Sequence, residues 1–183
     1  MKKLTLLLVL PCFCLMLFPS ISGAIGFDGF GAKVAFIMPK GPIDNAIGFG
    51  AVATFGSIFS QIAALKAEAS ADYWGKSYDS FGSTIKFTSV GVNGTAKYYF
   101  TSGGITPFAG AGLGITFSKS SFEVKEIPGF NNASNTSTDL GFHLCGGVDI
   151  PIGTGTKITA EGRYTTGGDD TFQIIGAFVV KLK

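Results

Sequence analysis

The chain has 183 residues, room for one ordinary domain, yet 27 are glycine, 18 are phenylalanine and only 14% are charged. A typical soluble domain is about one quarter charged, so a surface dressed in charge on all sides is excluded. Setting aside Lys2 and Lys3 takes the 14 basic residues down to 12, level with the 12 acids, and a neutral chain offers no electrostatic case for nucleic acid.

Lys2 and Lys3 precede an apolar run from Leu4 to Phe18, then "PSISGA". Charged start, apolar middle and small residues at Ser22 and Ala24 predict an export signal over 1–24, cleaved near Ala24. The run is shorter than the ~20 residues a membrane helix needs. Cys12 and Cys14 would leave with the signal, and Cys145 alone remains. That excludes an internal disulfide and a zinc cluster of cysteines.

Over 25–183, one domain, the apolar residues recur with period two and not 3.6, which predicts strands. In chain order, Ala32, Val34, Phe36 and Met38 alternate with Lys33 and Ala35; Ile47, Phe49, Ala51, Ala53 and Phe55 alternate with Gly48, Gly50, Val52 and Thr54. Leu65, Ala67, Ala69, Ala71 and Tyr73 alternate with Lys66, Glu68, Ser70, Asp72 and Trp74, although the alanines there also suit a helix. Val90, Val92, Ala96, Tyr98 and Phe100 face Asn93, Thr95 and Lys97; Ile105, Ala109, Ala111, Leu113, Ile115 and Phe117 face Phe108, Gly110, Gly112 and Gly114. "LGFHLCGGVDI" follows, then Ile158, Ala160 and Tyr164 against Lys157, Glu161 and Arg163, and last Phe172, Ile174, Phe178, Val180 and Leu182 against Gln173, Ala177 and Lys181. Eight strands result.

Connections near 39–46, 75–86 and 119–139 read as long, and those near 57–62, 101–104 and 153–155 as tight. The "TGGDD" turn is short but falls on the long-loop side. Long loops on one rim and short turns on the other match a transmembrane barrel, with both termini on the periplasmic rim. The sparse, glycine-substituted polar face suits a lumen, and the nearly unbroken apolar face suits lipid. Tyr98, Phe100 and Ile105 at one edge, with Tyr73, Phe117 and Tyr164 at the other, read as interfacial girdles. Closure removes the strand edges a bilayer penalises.

"VGVNGTAKYYF", the tight turn, "ITPFAGAGLGITF" and the closing "TAEGRYTTGGDDTFQIIGAFVVKLK" resemble the small outer-membrane β-barrel family, the porin-family type represented by the OmpA transmembrane domain and OmpW. The resemblance implies an all-β, eight-stranded antiparallel up-and-down barrel in the bacterial outer membrane. It also implies outer-membrane lipid and the barrel-assembly machinery as partners. Such barrels commonly end on Phe, whereas the last residues here are Leu182-Lys183, and a peptidoglycan-binding domain after the barrel is not expected.

By alternation Lys33, Lys66, Glu68, Asp72, Lys97, His143, Asp149, Lys157, Glu161 and Arg163 enter the lumen, with Cys145. An eight-stranded barrel is just filled by its side chains, and buried charge must be paired, so these residues are expected to form a plugging network. Asp149 and Glu161 are the expected acceptors for Lys157, Lys97 or Arg163. His143 and Cys145 with Glu161 are weakly reminiscent of the lipid A deacylase barrels, with cysteine where those have serine. A lumen-facing set is poorly placed to cut a membrane lipid, so no catalytic residue is assigned. Neither a cofactor nor a metal site is expected.

"GAGLG" at 110–114 is not a dinucleotide fingerprint, since no helix follows; its glycines are expected to make room for Phe108 or Trp74. Asn132 and Asn135 match glycosylation spacing, which has no bearing in this setting, and Asp169 with Asp170 read as solvated carboxylates and not a cation site. The expected role is structural or surface-interacting, with an extracellular partner meeting loop 119–139. Passage of small or hydrophobic molecules, a lipid-modifying enzyme and a soluble ligand-binding barrel are the alternatives.

Overall fold

The computed structural model describes residues 26–41, 43–80, 83–101, 103–124, 133–168 and 170–182. The proposed export signal, Asn132 and Asp169 fall outside these. Alternating side chains give eight strands: β1 (Phe27–Pro39), β2 (Ala46–Phe59), β3 (Ile62–Ser80), β4 (Ser83–Tyr99), β5 (Thr106–Val124), β6 (Ala133–Ile152), β7 (Thr156–Thr166) and β8 (Thr171–Lys181). Each pairs antiparallel with its neighbour in sequence, and β8 closes on β1. The alanine-rich 65–74 segment is strand, paired from Gly48↔Trp74 to Phe59↔Ile62 on one side.

The outer face carries the apolar set in the expected phase. Phe36, Phe49, Tyr73, Val92, Leu113, Leu144, Ile174 and Phe178 are all exposed, while Lys33, Lys97, His143, Glu161 and Arg163 are buried. Polarity is therefore inside out relative to a soluble barrel. Tyr98 and Phe100 pack edge to face at 5.5 Å where β4 meets the short-turn rim. Gly153, at φ +70, supplies the left-handed backbone that the short β6–β7 turn demands. The start of β1 and the end of β8 meet on this rim, where the Leu182 amide donates to the Asp28 carbonyl at 2.8 Å.

Two connections expected to be long are mostly strand. Residues 75–80 and 83–86 continue β3 and β4, paired through Ser80↔Ser83, so 75–86 is a tall hairpin. Residues 119–124 and 133–139 continue β5 and β6, paired through Phe122↔Ala133, and only 125–132 lie between the strands. A tilted strand crosses a bilayer in ~9–11 residues. The 11 residues of β7 suffice, whereas β3 and β5 run 19 and β6 runs 20. Strands β3–β6 thus rise past the apolar band as a wall on one side of the barrel.

The large apolar side chains of β3–β5 change face in that wall without any break in register. Within the band the inward residues of β4 are Asn93, Thr95 and Lys97, and Val90 and Val92 point out. Above it the inward set becomes Ile85 and Phe87, flanked by Tyr78 of β3 and Phe122 of β5, while Lys86, Lys119 and Glu123 point out. The outer face becomes polar where the lipid ends.

Candidate functional site: the ion-paired lumen

The inward side chains stack in layers. Nearest the short-turn rim, Asp149 accepts from Lys157 (2.5 Å), Thr159 (2.6 Å) and Tyr99 (3.1 Å). These converge because Asp149↔Thr159 and Pro151↔Lys157 are register partners on β6 and β7.

The next layer holds the most deeply buried charge. Lys97 donates to Glu161 at 2.6 Å and to Glu68 at 2.7 Å. Arg163 reaches Glu161 at 2.7 Å through Nη2 and at 2.8 Å through Nε, with Glu68 at 3.6 Å. Two cations and two carboxylates from β3, β4 and β7 thus neutralise each other where their side chains are 2–10% exposed, the pairing a buried charge requires. Phe108 covers the group, with the Lys97 ammonium 4.5 Å from its ring centre.

Above this, Lys33 binds Asp72 at 2.7 Å and Ser70 at 3.0 Å, and Asn93 donates to Asp72 at 2.9 Å. His143 Nε2 shares a 2.9 Å hydrogen bond with Thr95 Oγ1. Ala35, Ile37 and Ile175, with Trp74 against them, form an apolar layer beyond.

Nine of the ten residues assigned to the lumen are therefore held inside or at its mouth by polar partners within the wall. Lys66 differs: it sits at the open rim, 3.6 Å from Asp28 with both side chains over 40% exposed. Bulges between Thr54 and Phe59 shift β2 against β3 at that point. Tyr99, Thr159 and Asn93 also join the network, and their inward parity follows from the same alternation.

The glycines of 110–114 serve other neighbours than expected. A methyl at Gly112 would meet His143 Nε2 at 2.5 Å and the Gly94 carbonyl at 2.1 Å; one at Gly110 would meet Cys145 Sγ at 2.9 Å. Phe108 is accommodated instead by Gly147, where a methyl would lie 2.9 Å from its ring. Cys145 is buried and unpaired with another thiol. It lies beside Arg163 in the register, His143 lies beside Thr165, and Glu161 lies beside Gly147.

Two cavities flank the layers. A vestibule of about 330 Å³ opens at the short-turn rim and is lined by Glu68, Lys97, Tyr99, Asp149 and Lys157 among others. A cleft of about 130 Å³ lies at the opposite end, against the tall wall. They share no lining residue. Among the described residues no cluster of three His, Cys, Asp or Glu side chains could hold a metal ion.

A closed up-and-down barrel with an apolar exterior and an ionic interior defines a transmembrane β-barrel protein. The chain belongs to the outer membrane protein beta-barrel domain family, whose family model matches residues 5–180, and its place is the bacterial outer membrane. Solved barrels share the fold at low identity. Ail, the attachment invasion locus protein of Yersinia pestis, is 12% identical with a TM-score of 0.59, over 87% of this chain and 99% of that one. Neisserial surface protein A is 17% identical with a TM-score of 0.57, over 85% and 97%. A major outer membrane protein of Thermus thermophilus is 9% identical with a TM-score of 0.57, over 85% and 99%. No curated protein matches the chain.

Proposed function

We propose that this protein is a non-enzymatic outer-membrane barrel with a plugged lumen, whose role is structural and surface-interacting, carried out by the tall β3–β6 wall. One observation carries the reading: the Lys97–Glu161–Arg163–Glu68 group spans the lumen with its charges spent on one another. Charges lining a water-filled pore keep contact with solvent, whereas Lys97, Glu161 and Arg163 are at least 96% buried. Transport of small or hydrophobic molecules would need a path through this layer and the apolar one above it.

The lipid-modifying alternative has weak support in the geometry. His143 spends its Nε2 on Thr95, Glu161 is committed to two cations, and Cys145 has neither as a hydrogen-bond partner among the described residues. A nucleophile, a base and an orienting acid need mutual hydrogen bonds. The outward-facing wall is the element available for contact beyond the membrane, and a surface role fits the attachment protein named among the similar structures, by fold only.

Swelling of proteoliposomes in isotonic arabinose tests the reading. Vesicles carrying the folded wild-type protein should swell no faster than empty ones. Rapid swelling would show an open lumen and overturn the plug.

A further inference from the structure

Above the lipid band, β3–β6 present to the barrel axis a sheet face of the kind that soluble proteins cover. Ile85 and Phe122 are 36% and 38% exposed, and Tyr78 stacks edge to face on Phe87 at 6.1 Å. The opposite strands stop short, and among the described residues the β1–β2 connection leans across: the Asp44 amide donates to Tyr78 Oη at 2.5 Å, and Lys76 donates to the Asn45 carbonyl at 3.2 Å. At the foot of this face lies the cleft of about 130 Å³.

Its lining combines two chemistries. Trp74 and Phe87 offer aromatic surface; Ser89, Ser118, Ser120 and Asn135 offer hydroxyls and an amide. Among the described residues these four polar side chains have no hydrogen-bond partner, so their donors and acceptors are free for a ligand. Trp74 is held in place from behind by the Ala35–Ile37–Ile175 layer, which fixes the floor of the cleft. No carboxylate lines it, and its one cation, Lys119, belongs to the outer face of β5 by register.

An aromatic floor with a ring of hydroxyl and amide groups suits a ligand that is apolar on its flat faces and hydroxylated at its edge. Pyranose sugars have that character: their C–H faces lie on aromatic rings and their hydroxyls exchange bonds with serine and asparagine. A purely apolar ligand would strand the four polar groups, each costing about 1–3 kcal/mol if buried without a partner. Lys76, two residues above Trp74 on the same inner face, is spent on the Asn45 carbonyl and does not line the cleft, so an anionic ligand would find no cation dedicated to it. We infer that this cleft is a binding site for a neutral sugar unit, the terminal residue of a glycan, at the outer rim of the barrel.

The inference rests on the proposed outward placement of the wall for its biological setting, but binding itself does not depend on orientation. Trp74 is the only tryptophan in the chain and lines the cleft, so its emission reports occupancy directly. The full chain, folded in detergent micelles, is titrated with maltose, chitobiose and N-acetyllactosamine, with a heparin-derived disaccharide and an apolar peptide as contrasts. At least one neutral probe should shift Trp74 emission saturably. Phe87→Leu and Asn135→Ala should each weaken that response tenfold or more while keeping the gel-mobility difference between unboiled and boiled protein. No saturable response to any neutral probe would overturn the inference. So would a response unchanged in both folded variants, or one confined to the sulfated disaccharide or to the peptide. Binding in micelles without labelling of the wall on intact cells would instead count against the outward placement alone.

Discussion

Lys97 on β4 and Glu161 on β7, 64 residues apart in the chain, meet at 2.6 Å with each side chain 2% exposed. The two strands are not neighbours in the sheet; the contact crosses the lumen. Removing one partner of such a buried pair typically costs about 3–5 kcal/mol, because the survivor is left charged without water. Here Lys97 and Arg163 would still share Glu68, so Glu161→Ala should fall at the lower end, ~3 kcal/mol. Urea unfolding in lipid vesicles measures it. Removing Lys97 as well, in Lys97→Met with Glu161→Ala, should recover part of the loss. A single variant as stable as the wild type would mean that the pair is not buried.

Leu144 lies on the lipid face of β6 and Thr136 on the same face of the same strand, above the band. Leu144→Arg should cost ~2–4 kcal/mol, as a cation at mid-bilayer does, and Thr136→Arg about 0–1. Equal costs would remove the distinction between the membrane-spanning part of β6 and the wall.

The eight strands and their inward faces were legible because period-two patterning survives wherever a strand separates two solvents. The heights of β3–β6 were not. Beyond the Trp74–Ser89–Ser118 row the large apolar residues of β3–β5 sit on the inner face. An apolar set counted on one face ends there, though pairing continues to Ser80↔Ser83 and Phe122↔Ala133. Read for polarity, "SYDSFGSTIKF" and "TFSKSSFEV" look like loop; read for parity, Tyr78, Ile85, Phe87 and Phe122 stay in phase. The lumen set was similarly legible by parity, while partners needed register. Bulges between Thr54 and Phe59, invisible in composition, separate the rim residue Lys66 from the network its neighbour Glu68 joins.

Asp170, in the β7–β8 turn outside the membrane, accepts from Tyr164 and Thr166, both at 2.9 Å. These hydrogen bonds, Tyr164 first, hold its carboxyl below the usual aspartate range. A depressed value means the interaction is present above the unfolded aspartate range and is lost as pH falls through the folded value. Carboxyl NMR of protein labelled at Asp should show Asp170 titrating below an exposed reference, and Tyr164→Phe should move it upward. An unshifted midpoint in both proteins would show that the turn does not hold this geometry.

Orientation is read by thiol labelling in a Cys145→Ser background. Thr136→Cys should react with a membrane-impermeant maleimide on intact cells, and Thr154→Cys, in the β6–β7 turn, only after lysis. The reverse pattern would place the wall in the periplasm.

Single-channel recording across a planar bilayer tests the central claim most directly: an ion-paired lumen is a closed one. The wild-type protein should show no steady, wide conductance, and Glu161→Ala should show raised leak because Lys97 and Arg163 lose the carboxylate that holds them across the lumen. A stable, well-defined wild-type pore, unchanged by Glu161→Ala, would contradict it and show that these residues line a channel.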